Sequence, residues 1–209
     1  MSASNIRVLA VASGGGHWVQ LFRMRPSWAG CKVDYVTTTP DFRDEVIADA
    51  AERGEARPGY FVVPEANRWQ KLRLASLLAR IALIVLWRRP DVVISTGAAP
   101  GYFALRLAGL LGARTIWIDS IANAGELSLA GQRIGPHADV WLTQWEGLAR
   151  TTGQSPREHA LHEARHPETG ESIGFVHRDI SLENIMVARD PSAPDGVRVL
   201  LGDFGGAGP

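Results

Sequence analysis

The sequence predicts an α/β protein built on a Rossmann-like, doubly wound parallel sheet, with a short C-terminal appendage. Three observations lead there. Over residues 6–143, short β-branched apolar runs alternate with longer stretches of helical character. The runs are almost continuously apolar, as strands covered on both faces should be. Breakers such as Pro90 and Gly112 sit where the helical stretches end. Strand, helix, strand at this rhythm implies βαβ units with helices on both sides of one sheet.

In order, the strand segments are IRVLAVAS, KVDYVTTT, YFVVP, DVVIST, RTIWIDS and DVWLTQ, and the helical stretches cover 17–25, about 41–53, 69–88 and 100–111. The first apolar run is short enough for a strand and lacks the h-region and cleavage site of a signal peptide. The most hydrophobic segment, LASLLARIALIVLW at 74–87, is interrupted by Arg80 and flanked by Lys71, Arg73, Arg88 and Arg89. It falls short of the roughly 20 apolar residues of a spanning helix. A buried crossover helix is the expectation for 69–88. The alternative is a peripheral membrane contact through Trp69, Trp87 and the flanking arginines.

At 209 residues and 45% hydrophobic content the chain can build a sizeable core. Its 22 basic and 22 acidic residues cancel, which argues against a nucleic-acid partner. The single cysteine, Cys31, excludes an internal disulfide and a cysteine zinc site, and fits a reducing, cytoplasmic setting. Beyond about residue 150 the composition turns polar and rich in proline and glycine, so the domains are expected at 1–149 and 150–209.

Ligands of open parallel sheets bind beyond the carboxyl ends of the strands. SGGGHW at 13–18 follows the first strand: Gly14, Gly15 and Gly16 let the backbone approach a ligand, and the next helix offers free amides to a phosphate. The pattern is neither a dinucleotide fingerprint nor a P-loop. His17 opens the helix. STGAAPGYFA, with Thr96 and Gly97, follows the fourth strand. Asp119, Ser120, Asn123 and Glu126 cluster after the fifth. Each alone reads as a cap or turn residue. Together on one sheet edge they predict a pocket for a phosphate-bearing substrate with an acid or base at hand.

The segments GGGHWVQLFRM and DVVISTGAAPGYFALRLAGLLGARTIWIDSIANAGELSLAGQRIGPHADVWLTQW resemble the asparagine-linked glycosylation protein 14 family and its bacterial exopolysaccharide-biosynthesis relatives. These in turn resemble the acceptor-side half of GT-B glycosyltransferases, including the peptidoglycan N-acetylglucosaminyltransferase of family 28. The likeness covers about 5–149. It implies an acceptor-binding subunit, paired in a heterodimer with a separate donor-half subunit, that transfers sugar from a UDP-sugar to a polyprenyl-diphosphate-linked acceptor. It implies that Gly14, Gly15 and Gly16 face the acceptor diphosphate. His17 becomes the candidate general base, and Asp119 either a catalytic acid or a loop-orienting group. Thr96, Gly97, Ser120, Asn123 and Glu126 are candidate acceptor-binding positions. The chemistry implied needs no metal and no cofactor. Eukaryotic members carry an N-terminal membrane anchor; none is expected here, because the apolar run at 6–13 reads as the first strand.

The tail carries a second resemblance. FVHRDISLENIMV and LGDFGG keep the HRD-x4-N and DFG spacing of a protein kinase, with Asp179 as base and Asn184 and Asp203 as Mg²⁺ ligands. Kinase chemistry also needs a glycine-rich cover, a strand lysine and a substrate platform. None is recognisable, so the fragment is expected to be inactive. His159, His162 and His166, interleaved with arginines, read as a solvated face rather than a metal site. The rival readings are a kinase-derived protein binding ATP and Mg²⁺, and a non-catalytic scaffold that brings a glycosyltransferase to a membrane.

Overall fold

In a computed structural model, the described residues are 6–67, 69–120, 122–123, 127–142, 185–189 and 197–201. Six parallel strands form one sheet: β1 (Arg7–Val11), β2 (Lys32–Thr37), β3 (Gly59–Val62), β4 (Val92–Ser95), β5 (Arg114–Ile118) and β6 (Val140–Leu142). Their spatial order is β3-β2-β1-β4-β5-β6. The chain winds outward from β1 to β3, crosses back, and winds outward again from β4. This is the doubly wound sheet the sequence predicts.

The helices are α1 (Gly16–Arg23), α2 (Arg43–Glu52), α3 (Lys71–Arg88), α4 (Ala98–Leu110) and α5 (Leu129–Ile134), with 3-10 turns at Arg25–Trp28 and Gly135–His137. The expected helices fall within a few residues of their predicted bounds. α5 was not anticipated, because its six residues are too short to establish a helical period.

Alternation along the strands divides the core into two layers. One contains Val8, Ala10, Ile94, Ile116 and Ile118, packed with Trp18 and Leu21 of α1, with Trp28 of the 3-10 turn that follows it, and with Val46 of α2. The other contains Leu9, Val11, Val93 and Trp117, packed with Leu77, Ile81 and Val85 of α3, Leu105 of α4 and Ile134 of α5. Thus α1 and α2 lie on one face, and α3, α4 and α5 on the other. α3 is the expected crossover helix, buried along the side of Leu77, Ile81 and Val85, but its exposed side carries apolar residues as well as the arginines: Leu72, Leu83, Leu86 and Trp87 are exposed.

Two polar devices pin the amino-terminal side of the sheet. Asp34 of β2 is 8% exposed and receives two bonds from Arg88, Nε at 2.6 Å and Nη2 at 2.5 Å, as well as the amide of Gly59 at 3.0 Å. One carboxylate therefore ties the end of α3 and the start of the edge strand β3 to β2. The pairing holds the guanidinium charged, raising the Arg88 pKa above its ordinary value. A side chain at Gly59 would meet the Asp34 carboxylate, which explains the glycine. At the amino end of β1, Arg7 makes a bidentate pair with Asp91 before β4, with Nε–Oδ2 at 3.1 Å and Nη2–Oδ1 at 2.8 Å.

β7 (Ile185–Arg189) and β8 (Val197–Leu201) pair antiparallel, joining the two apolar runs that flank the predicted turn cluster. Asp179, Asn184 and Asp203 of the kinase-like motifs, the three tail histidines and the expected boundary at 149/150 lie outside the described residues.

Replacing Asp34 with Ala should lower stability by about 2 kcal/mol, seen as a lower denaturation midpoint, because it strands Arg88 and the Gly59 amide together. Tyr35 gives an alkaline counterpart. Burial pushes its phenol up to about 12. The folded state therefore holds a proton that the unfolded chain releases near pH 10. This stabilisation is present below pH 10 and lost as pH rises toward 12. Tyr35→Phe should flatten the fall in stability over that window in equilibrium denaturation.

Candidate functional site

Among the described residues, buried polar side chains of the sheet concentrate at one end, apart from Asp34 and Thr115 nearer the amino ends of β2 and β5. Thr37, Ser95, Thr96, Asp119 and Ser120 are all buried, and all sit at or just past the carboxyl ends of β2, β4 and β5. Burying a polar group costs free energy unless it is bonded, so such a cluster marks a built feature of that edge.

The first wall is the start of α1. Trp18 is 1% exposed and stacks on Phe42 at 4.9 Å and on Phe22 at 5.8 Å, with Tyr35 and Tyr60 edge-on. This aromatic cluster clamps the first turn of the helix to the sheet. Gly15, the N-cap, has φ +71°, a left-handed conformation that favours glycine. Gly15 and Gly16 are exposed, and a Cβ at either would meet nothing. The amide of Gly14 donates to Thr38 Oγ1 at 3.0 Å, so the loop after β2 holds the glycine loop from beneath. The opening amides of α1 have no intrahelical acceptor, which suits them to an anion.

The neighbouring residue, His17, is locked to the loop after β4 by two reciprocal bonds. Its Nδ1 lies 2.8 Å from the Thr96 carbonyl oxygen, and Thr96 Oγ1 donates to the His17 carbonyl at 2.7 Å. A carbonyl can only accept, so Nδ1 carries the hydrogen. The neutral ring therefore keeps its lone pair at Nε2, which no described residue bonds. The imidazole rests against Gly97: a Cβ there would meet His17 Cε1 at 2.6 Å and Nδ1 at 2.7 Å. Gly97 has φ +136° and Ala98, the next residue, φ +65°. A non-glycine residue held left-handed at a helix start is local strain of the kind found at functional sites.

The third wall is the loop after β5. Asp119 is 1% exposed; its Oδ2 receives Asn123 Nδ2 at 3.3 Å and its Oδ1 receives Ser128 Oγ at 3.3 Å. Ser128 in turn caps α5 by accepting from the Gly131 amide at 2.9 Å. The Asp119 main chain receives Gln20 Nε2 from α1 at 3.1 Å. These bonds give the Asp119 carboxylate a loop-holding position, with the backbone of its loop fastened to α1.

Gly14, Gly15, Gly16, His17, Thr96, Gly97, Asp119, Ser120 and Asn123 thus share one sheet edge, with direct bonds joining the three loops. Glu126 lies outside the described residues. Sequence reasoning missed Gln20, Thr38, Ser95 and Ser128. Gln20 and Thr38 carry no motif; the signal for Thr38 was the threonine run directly beyond a strand. Ser95 Oγ accepts from the Gly97 amide at 3.1 Å, fixing the turn on which His17 rests. Among the described residues, no group of three or more His, Cys, Asp or Glu side chains could hold a metal ion.

Comparison with known protein families finds no family that matches the chain. Curated proteins do match. The chain is 27% identical to the UDP-N-acetylglucosamine transferase subunit ALG14 of Candida albicans, over 64% of this chain and 68% of that protein. It is 24% identical to the ALG14 subunit of Yarrowia lipolytica, over 70% of this chain and 76% of that one. This chain is similar to both along most of their length. Among solved structures, MurG of Acinetobacter baumannii superposes with a TM-score of 0.50 at 14% identity, covering 67% of this chain and 42% of MurG. UDP-N-acetylglucosamine 2-epimerase of Rickettsia bellii does so at 0.53 and 16%, covering 71% of this chain and 41% of the epimerase. The chain spans less than half the length of either structure. These likenesses agree on the fold, the Rossmann-like half of a GT-B enzyme. None of these proteins is a kinase, so the kinase reading of the tail gains no support.

The seat of His17 can be tested directly. Gly97→Ala should force the ring off the Thr96 carbonyl. In ¹H–¹⁵N long-range NMR spectra above pH 8, the wild-type His17 signal should show the Nδ1-protonated tautomer, and the variant the ordinary mixture.

Proposed function

We propose that the chain is the acceptor-binding subunit of a two-component glycosyltransferase, taking a UDP-N-acetylglucosamine-type donor held by a separate donor-half polypeptide. The acceptor is a polyprenyl-diphosphate-linked molecule, and the product enters oligosaccharide or exopolysaccharide synthesis. The reading places the chain in the cytoplasm, at the cytoplasmic face of a membrane. The observation that carries it is the His17–Thr96 lock beside the glycine loop at the β1/β4 edge. The similarity to subunits of a UDP-N-acetylglucosamine transferase supports it.

On this reading the diphosphate of the acceptor lies over Gly14, Gly15 and Gly16 and is drawn by the unpaired amides of α1. The acceptor hydroxyl then stands near His17 Nε2. Its oxygen attacks the anomeric carbon as the bond to the UDP oxygen breaks, and Nε2 takes the proton. The resulting imidazolium keeps its Nδ1–H on the Thr96 carbonyl, whose dipole favours the new charge. Asp119, Ser120 and Asn123 shape the far wall and set the reach between acceptor and donor. Because the donor half comes from the partner, the complete reaction needs both chains.

The test is to purify the chain with a candidate donor-half partner and follow UDP release on a polyprenyl-diphosphate acceptor. The complex should turn over and the separate chains should not. In the complex, His17→Ala should lower kcat by about 10²–10⁴-fold with assembly retained. Full activity of this chain alone would remove the two-component reading, and undiminished turnover by the His17→Ala complex would remove the base.

A further inference from the structure

Gln20 lies one turn beyond His17 on α1, so the two side chains are neighbours on one face of the helix, with Cβ atoms about 5–6 Å apart. Its Nε2 donates to the Asp119 carbonyl at 3.1 Å. A carbonyl only accepts, so this bond settles which end of the carboxamide is nitrogen and leaves Oε1 as an acceptor. No described residue donates to that oxygen, and protein does not enclose it. His17 is in the same state, with Nδ1 committed to the Thr96 carbonyl and Nε2 unused. Both residues are half-buried. Each therefore has one polar atom fixed by the backbone of a neighbouring loop and a second that is an idle acceptor.

A fastening alone would need only a donor, which lysine or arginine could supply to the Asp119 carbonyl. Glutamine brings an acceptor as well, and brings it without charge. Beside a site for an anion that matters, because a carboxylate in its place would repel a diphosphate. With its amide held at one end, Gln20 has already lost most of its rotamer freedom, so a ligand donor would meet a fixed oxygen. Resting on the acceptor-binding reading above, we infer that Gln20 Oε1 accepts a hydrogen bond from a second hydroxyl of the acceptor, next to the hydroxyl that His17 Nε2 deprotonates. Two acceptors on one helix face read a pair of adjacent donors, and that pair sets the direction from which the attacking oxygen approaches. The acceptor is then a polyol such as a sugar ring; a bare prenyl diphosphate offers no such pair. No proton passes to Gln20. It is a specificity-determining residue, and a site built to bond a hydroxyl discriminates against the analogue that lacks it.

In calorimetry the full chain should bind farnesyl-diphosphate-linked glucose, galactose or N-acetylglucosamine. Gln20→Met, similar in length but without the amide, should weaken that binding about 3–10-fold with an unchanged circular dichroism spectrum. Among analogues of the bound sugar that each lack one ring hydroxyl, one should lose the same factor on the wild type and nothing further on Gln20→Met. Every other analogue should lose equally on both proteins. A merely structural role would not produce this coupling, since a loosened Asp119 loop would leave the losses independent. Gln20→Lys keeps a donor for the carbonyl but has no acceptor, and should lose the coupling too. If the wild-type chain binds none of these sugars, the acceptor-binding reading falls and the role of Gln20 falls with it. If losses multiply for every hydroxyl, or Gln20→Met binds all analogues as the wild type does, the role of Gln20 is overturned and that reading stands.

Discussion

The site depends on one adjacency, the parallel pairing of β1 with β4. Val8 through Val11 register against Val92 through Ser95, although more than 80 residues of chain lie between them. At this junction the winding reverses. α1 leaves β1 toward one face and α4 leaves β4 toward the other, so a crevice opens between the two strand ends. The His17–Thr96 bonds span that crevice. Without the pairing there would be two unrelated glycine-bearing turns and no shared site.

Much of the remaining structure keeps this junction from drifting. Trp18 is adjacent in sequence to His17 but points into the core, and its aromatic cluster sets the depth of the helix start. Ser95 fixes the turn that Gly97 makes, and Gln20 ties α1 to the Asp119 backbone. Side-chain order at His17 is thus established at folding, so a ligand bound at this edge would spend no free energy fixing the ring. The buried polar residues at this edge are each tolerable because most find partners within it. Thr37 is the exception, a buried hydroxyl with no partner among the described residues.

The sheet was legible in the amino-acid sequence because strands buried on both faces announce themselves as β-branched runs, and the long helices because breakers bound them. The glycine loop and His17 were legible for a local reason: three consecutive glycines are unusual for a simple turn. The bonds that make them a site were not. Thr96 lies 79 residues from His17 and Thr38 lies 24 from Gly14, and only strand order brings them together. The role of Asp119 shows the same limit, since its residue type permits catalysis while its partners, Asn123 and Ser128, give it a structural task. α3 misled in the other direction. Its hydrophobicity suggested a buried crossover helix, because composition cannot distinguish a helix wrapped by protein from one with a bare side.

The edge strand β3 has a consequence for how the protein behaves at high concentration. It is four residues long, lies between Pro58 and Pro64, and among the described strands pairs with β2 alone. An open strand edge is a template onto which another chain can add, the route by which sheets grow into aggregates. Proline at both margins supplies no amide to such a ladder, and so short a span offers few bonds between them. At this margin a sheet so apolar on both faces is thereby a poorer template for its own copies.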